Sequence, residues 1–144
     1  MDDKITTGAL MKRVLGTRHL NAFLKYNEKY MEEVSFTEYL AQLCDEKELI
    51  PERVILQAGL DRTYGHQIFN GTRRPSREKV LQLAFGMQLE VESAQKLLWA
   101  AGRSQLYPRL KRDAVMLYCL KNKKTVTETQ IIMEKYEVTP LGSL

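Results

Sequence analysis

The sequence contains few of the features that mark disulfide-bonded, strand-rich or membrane-spanning proteins. Its 144 residues include only two cysteines, four prolines and eight glycines. Cys44 and Cys119 lie far apart and form no C-x-x-C motif, so we expect reduced thiols packed as small apolar side chains rather than a disulfide. No run of about 18 apolar residues predicts a transmembrane helix, and the acidic start Met1-Asp2-Asp3 differs from the basic start of a signal peptide. These absences predict a cytoplasmic protein with no membrane partner.

Signatures of catalysis and of metal binding are missing as well. The chain has no glycine-rich phosphate loop after a strand, no nucleophile elbow and no H-E-x-x-H motif. Its two histidines and two cysteines do not have the spacing of zinc ligands. We therefore expect no enzyme activity, no cofactor and no metal ion.

Long stretches with apolar residues at helical spacing separate the few prolines and glycines, which predicts an all-α fold. Apolar residues make up 44% of the chain and charged residues 28%, as in ordinary globular proteins. The pattern shows no internal repeat. We predict helices at about 7–15, 17–31, 35–47, 51–58, 61–70, 75–85, 91–101, 108–121 and from 125 onward.

Several of these helices carry recognisable start and stop signals. Ser35 with Glu38, and Thr125 with Glu128, have the spacing of capping boxes, in which each side chain satisfies a backbone donor of the first turn. Gly59 predicts a helix end, since glycine adopts the left-handed conformation without strain.

Basic charge is concentrated in two segments. Residues 1–60 carry a net charge of −2, residues 61–85 a net charge of +3 and residues 103–124 a net charge of +6. Such asymmetry favours a polyanionic partner. For the second segment alone, a solvated charged surface explains the charge equally well.

Residues 50–89 hold the most informative pattern of the chain. Two short helices meet across the turn Gly59-Leu60-Asp61, and the second of them is rich in hydrogen-bonding side chains. An asparagine–glycine turn, an arginine pair, a proline and an apolar helix follow. A short polar helix on an apolar support has the properties needed to enter the DNA major groove.

This segment resembles the lambda-repressor-like helix-turn-helix domains of phage repressors and many bacterial regulators. The resemblance covers about residues 35–101 and is carried, without a gap, by Gly59-Leu60-Asp61-Arg62, Ile68, Asn70-Gly71, Arg73-Arg74-Pro75-Ser76 and residues 80–84. It implies a five-helix DNA-binding domain at 35–102, between an N-terminal helical extension at 1–34 and a basic C-terminal helical extension at 103–144. It further implies a transcriptional regulator that binds double-stranded DNA as a homodimer.

The resemblance also assigns candidate roles by position. The helix at 61–70 would read bases through Arg62, Thr63, His66 and Gln67. Arginine suits guanine and glutamine suits adenine, so Arg62 and Gln67 are the main candidates for specificity. The phosphate contacts would come from Tyr64, Asn70, Thr72, Arg73, Arg74 and Arg77.

Two positions depart from the family pattern. Ile55 stands where the family usually has a small residue, and Gly65 stands where it usually has a β-branched apolar residue. A glycine inside a helix costs roughly 1 kcal/mol relative to alanine. Our hypothesis is that the bulk of Ile55 fills the space that Gly65 leaves.

Two other functions remain open from the sequence. In the first, the helix-turn-helix is a scaffold of an adaptor or antitoxin-like protein, and a protein partner binds through 1–34 or 103–144. In the second, the basic segments hold duplex DNA without reading its sequence. The chain lacks the aromatic-rich strand motifs of common single-strand RNA binders.

Overall fold

The computed structural model of the protein describes residues 5–31 and 35–143. These residues form nine α-helices, one short 3-10 helix and no strand, which confirms the predicted all-α class. No helix in these two ranges is both long and apolar enough to cross a membrane. The helices are α1 (Thr7–Gly16), α2 (Leu20–Tyr26), the 3-10 helix (Glu28–Tyr30), α3 (Phe36–Glu46), α4 (Pro51–Ala58), α5 (Arg62–Phe69), α6 (Arg77–Gly86), α7 (Val91–Ala100), α8 (Lys111–Lys121) and α9 (Val126–Lys135).

The chain divides into two compact units, Met1–Glu33 and Val34–Leu144, which we call the N-terminal unit and the main unit. In the N-terminal unit, the helix predicted from residue 17 begins only at Leu20. The Thr17 hydroxyl accepts the His19 N–H at 3.3 Å, a local bond that replaces the first helical turn. Phe23 and Asn27 are buried in this unit.

In the main unit, α6 lies at the centre of the apolar core. Every residue from Val80 to Met87 is buried. Helix α4 approaches α6 closely at Gly86, where an added Cβ would lie 2.8 Å from the Ala58 backbone nitrogen. Helices α3 and α5 add Leu40, Leu43 and Ile68 to the same core, while both cysteines are buried free thiols.

The predicted caps form to different extents. At α9, the Thr125 hydroxyl accepts the Glu128 N–H at 3.1 Å and the Glu128 carboxylate accepts the Thr125 N–H at 2.9 Å, so the capping box is complete. At α3, the structure gives the serine half, in which the Ser35 hydroxyl accepts the Glu38 N–H. Helix α8 begins at Lys111, later than predicted, because a turn precedes it.

Two hairpins of the main unit are equivalent in structure, although the sequence shows no internal repeat. Helices α6 and α7 with their following loop (77–106, the first hairpin) and helices α8 and α9 with theirs (112–141, the second hairpin) share one design, displaced by 35 residues. In the first hairpin the side-chain amide of Gln95 bonds both backbone groups of Leu106, and in the second Gln130 bonds Leu141 in the same way. Each hairpin therefore closes its loop with an equivalent pair of hydrogen bonds.

Contacts between the two hairpins are reciprocal. Arg77 binds Asp113 at 2.9 Å, and its counterpart Arg112 binds Glu78, the counterpart of Asp113, at 2.6 Å. The Gln88 side chain donates to the Lys123 carbonyl, and the Lys123 ammonium donates to the Gln88 carbonyl. Interactions that persist when the partners are exchanged are typical of packing about a two-fold axis.

The core follows the same relation. Side chains at equivalent positions of the two hairpins are buried to nearly the same extent and belong to one core. These equivalent positions are Leu81 and Met116, Ala84 and Cys119, Phe85 and Leu120, Leu98 and Met133, and Leu106 and Leu141. The predicted C-terminal extension is thus built into the same core as the helix-turn-helix segment.

Candidate nucleic-acid interface

Helices α4 and α5, which the sequence predicts as the helix-turn-helix, pack against each other and are joined by the turn at residues 59–61. Gly59 ends α4 with a φ of 72°, in the left-handed region that favours glycine. Leu60 is buried beneath the turn, and the Asp61 carboxylate accepts the Tyr64 N–H at 3.0 Å to cap α5. The fully buried Ile68 fixes the inner side of α5 to the core. These contacts hold the short helix rigidly and leave its other side in solvent.

Ile55 lies where a side chain at position 65 would otherwise be. A Cβ added to Gly65 would come within 2.5 Å of Ile55 Cγ2, closer than any real contact. Both residues are buried. The geometry agrees with the hypothesis that the bulk of Ile55 compensates for the missing side chain of Gly65.

The four predicted base-contacting residues lie on α5, and two of them share one carboxylate. Glu52, in the first turn of α4, accepts from Arg62 Nε at 2.7 Å and contacts His66 Nε2 at 2.7 Å. The hydrogen bond from His66, together with the nearby Arg62, lowers the pKa of Glu52. Thr63 is exposed beside Arg62. Within Arg62, Nε is the only nitrogen that bonds to another described residue. Both Nη groups of its guanidinium are therefore available to a ligand.

Glu52 was missed by sequence reasoning. Its position after Pro51 in the first turn of a helix is a common one for an acidic residue, because a negative charge there complements the helix dipole. Its distance in sequence from Arg62 and His66 gives no sign of a contact. Only the crossing of α4 and α5 brings the three side chains together.

A second group of predicted residues surrounds Tyr64. The guanidinium of Arg73 lies 5.0 Å from the centre of the Tyr64 ring and donates from Nε to Gln67 Oε1 at 3.0 Å. The Lys79 ammonium lies 6.0 Å from the same ring. An aromatic face attracts both cations. This group places two positive charges beside the exposed side of α5.

Asn70 and Thr72 form the turn after α5. The Asn70 side-chain oxygen accepts the Thr72 N–H at 2.9 Å, and Gly71 between them has a φ of 82°. Both residues are exposed. The turn therefore presents polar groups to solvent next to Arg73.

The structure does not bring Arg74 and Arg77 into this group. Arg74 donates from Nε and Nη2 to the Ala101 carbonyl at the end of α7, at 3.3 and 3.1 Å. Arg77 donates to the Ser104 and Gln105 carbonyls and to the buried Asp113. Both arginines hold loops of the first hairpin, and a contact of either with phosphate stays a prediction.

Part of the basic charge at 103–124 is neutralised within the fold. Arg112 pairs with the buried Glu78, and burial, which would raise the pKa of Glu78, is outweighed by the bonds from Arg112 and from the Gly142 N–H, so that its pKa is lowered. Lys123 pairs with Glu90. The exposed positive potential of this segment is therefore smaller than its sequence predicts.

The described ranges contain no group of three or more histidine, cysteine, aspartate or glutamate side chains arranged to hold a metal ion. Comparison of the chain with protein-family models, with curated proteins and with solved structures gives no match. A functional assignment therefore depends on the geometry of α4, α5 and the following turn.

Proposed function

We propose that the protein is a sequence-specific transcriptional regulator that reads the major groove of duplex DNA with α5, in the manner of the lambda-repressor-like domains. The observation that carries the proposal is the exposed row of donors and acceptors on a short helix whose inner side is fixed by Asp61, Ile55 and Ile68. Base-pair edges in the major groove present a distinct donor and acceptor pattern that such a row can match.

Arg62 and Gln67 have the properties that base reading requires. Glu52 fixes the orientation of Arg62 through Nε and leaves both Nη groups to bind the two acceptors of a guanine. The amide nitrogen of Gln67 has no partner among the described residues, while its oxygen is held by Arg73. Each well-aligned contact of this kind contributes about 1–3 kcal/mol of discrimination.

The turn after α5 supports the same orientation on DNA. Arg73 and Lys79 lie beside Tyr64 of α5, and Asn70 and Thr72 form the turn that follows it, so we expect these residues to contact the DNA backbone. Contacts to phosphate position a protein without reading sequence. As a homodimer, the protein would place two copies of α5 about one DNA turn, or 34 Å, apart.

Selection from a random duplex DNA library at moderate salt tests the proposal. We expect an enriched motif, and an inverted repeat with centres about 10 base pairs apart if the active species is a symmetric dimer. Binding without an enriched motif that vanishes as salt rises would contradict sequence-specific reading.

Two variants distinguish a residue that reads bases from a residue that positions the protein on the DNA backbone. Gln67→Ala should relax the preference at one position of the motif, while Gln57→Ala, an exposed glutamine of α4, serves as the matched control. Arg73→Ala should weaken binding to all sequences and reduce the slope of log K against log salt concentration by about one. Equal losses on every sequence from Gln67→Ala and Arg73→Ala would overturn the assignment of roles.

A further inference from the structure

The second hairpin carries an open apolar groove that the proposed DNA interface does not use. The groove has a volume of about 540 Å³. It lies between α8 and α9, and we call it the α8–α9 groove. Its lining residues are Lys111, Ala114, Val115, Tyr118, Lys124, Ile132, Lys135 and Tyr136.

The relation between the hairpins identifies the equivalent surface on the first hairpin. The apolar groove residues Val115, Tyr118, Ile132 and Tyr136 correspond to Val80, Leu83, Leu97 and Ala101. All four counterparts are at most 4% exposed, because α4 packs on α6 and α3 packs on α7. On the second hairpin, by contrast, Tyr118 is 59% and Tyr136 48% exposed. The same face is covered by helices in one hairpin and uncovered among the described residues in the other.

The apolar composition of the uncovered face indicates that another molecule binds there. A helix face that meets water normally carries polar side chains. Here it keeps a valine, an isoleucine and two tyrosines along stripes at helical spacing on α8 and α9. In the first hairpin this face receives helices, so the chain itself shows which kind of structure fits it.

The positive charge of the groove indicates which kind of molecule can bind there. Three groove positions that are Ser76, Leu89 and Ala100 in the first hairpin are Lys111, Lys124 and Lys135 in the second. None of the described residues that line the groove is acidic. Two copies of the chain meeting on this face would bring like charges together, which disfavours self-association.

We propose that the α8–α9 groove binds an amphipathic helix of a partner protein whose apolar stripe is flanked by aspartate or glutamate. The bound helix takes the place that α3 and α4 take on the first hairpin, and the lysines pair with its acidic flanks. This proposal goes beyond DNA binding and does not depend on it.

A displayed library of 16-residue helix-forming peptides, with apolar and charged positions randomised, is the probe. Full-length protein should enrich peptides with apolar residues at i, i+3, i+4 and i+7 and acidic residues beside them. Enriched peptides should lose at least about tenfold in affinity on Tyr118→Asp, and about threefold to tenfold on Lys135→Glu.

Lys121→Glu is the matched control, because Lys121 ends α8 as Lys135 ends α9 and lies outside the groove. It should leave the affinity unchanged. Circular dichroism and thermal melting of each variant show that the fold is retained, which the exposure of Tyr118 makes the expected result.

Several outcomes overturn the proposal. The selected peptides could show no apolar pattern at helical spacing, or they could carry basic or neutral residues beside it. Tyr118→Asp could leave peptide binding intact, or Lys135→Glu and Lys121→Glu could lower the affinity equally. Sedimentation that shows a dimer of the free protein abolished by Tyr118→Asp would assign the groove to a second copy instead. The first four outcomes do not bear on the DNA selection, and a dimer formed through the groove would bear only on whether the selected motif is an inverted repeat, so the two proposals fail separately.

Discussion

Gly65 and Ile55 act as one unit of packing within the helix-turn-helix pair. A helical glycine normally lowers stability, because it adds backbone entropy to the unfolded chain. Here the absence of a Cβ admits the Ile55 side chain, which is buried against Gly65. The cost of the glycine is offset by the burial of a larger apolar side chain on the neighbouring helix.

We expect Gly65→Ala to destabilise the main unit by about 1–3 kcal/mol, because Ile55 must move out of a well-packed site. In an Ile55→Ala background the same change should be neutral, or stabilising by up to about 1 kcal/mol, since helix propensity then acts alone. Urea unfolding of the four proteins of this double-mutant cycle gives the coupling energy. Additive effects would show that the two residues do not share the space.

The arginines show where prediction from sequence stops. The sequence predicts DNA contacts for Arg62, Arg73, Arg74 and Arg77. In the structure, Arg62 and Arg73 bind side chains of α4 and α5. The other two bind carbonyl oxygens 27 residues away in sequence. The local sequence shows which arginines follow α5. The loop after α7 in the first hairpin supplies the carbonyl oxygens that Arg74 and Arg77 bind.

At the scale of elements, Glu90 joins three parts of the main unit. It stands at the start of α7 and accepts from Lys47, just after α3, and from Lys123, in the turn between α8 and α9, each at 3.0 Å. Its own backbone N–H and then these two lysines lower the pKa of Glu90 to about 2. The ionised carboxylate therefore favours the folded state.

This lowered pKa predicts a stability loss in acid. The contribution of Glu90 is complete above its ordinary pKa of 4.5 and is lost as the pH falls from 4.5 through about 2. Because the side chain is 58% exposed, we expect at most about 1 kcal/mol. Glu90→Gln should lower the urea midpoint at pH 6 and flatten its decline between pH 5 and about 2.

Glu92→Gln, in the first turn of the same helix, removes the same charge without these partners and is the control. Its midpoint should follow the wild-type curve in shape. If both variants changed the pH dependence equally, the effect would come from the helix dipole rather than from Lys47 and Lys123.

The helices were the most predictable level of the fold. Helical spacing, Pro51, Gly59 and Thr125 predicted the starts of α4 to α9 and the ends of α4 to α8 within a few residues. The equivalence of the hairpins was not visible, because the two share few identical residues, among them Arg77 with Arg112 and Gln95 with Gln130. What they share is a set of hydrogen bonds between residues far apart in sequence. The pattern of apolar and polar residues along the chain does not reveal such bonds.

At the scale of the molecule, the second hairpin is a structural half rather than an appendage. Its buried side chains belong to the same core as Leu81, Phe85 and Leu98, and the pairs Arg77–Asp113 and Arg112–Glu78 join it to the first hairpin. Removal of one partner of a buried ion pair costs about 3–5 kcal/mol, which is comparable to much of the stability of a domain this size. The candidate DNA-reading helix thus depends on residues far from it in sequence.

Removal of residues 111–144 should therefore unfold the main unit, and with it abolish any DNA binding by α5. The truncation uncovers the apolar side of α6 and removes the Arg112 partner of Glu78, so a cooperative urea transition should be lost and aggregation should appear in sedimentation. A chain lacking residues 1–33, a separate compact unit, is the matched control and should keep its helical circular dichroism and cooperative unfolding. If the fragment ending at residue 110 instead unfolded cooperatively with an unchanged midpoint, the second hairpin would be an independent module that α4 and α5 do not need in order to fold.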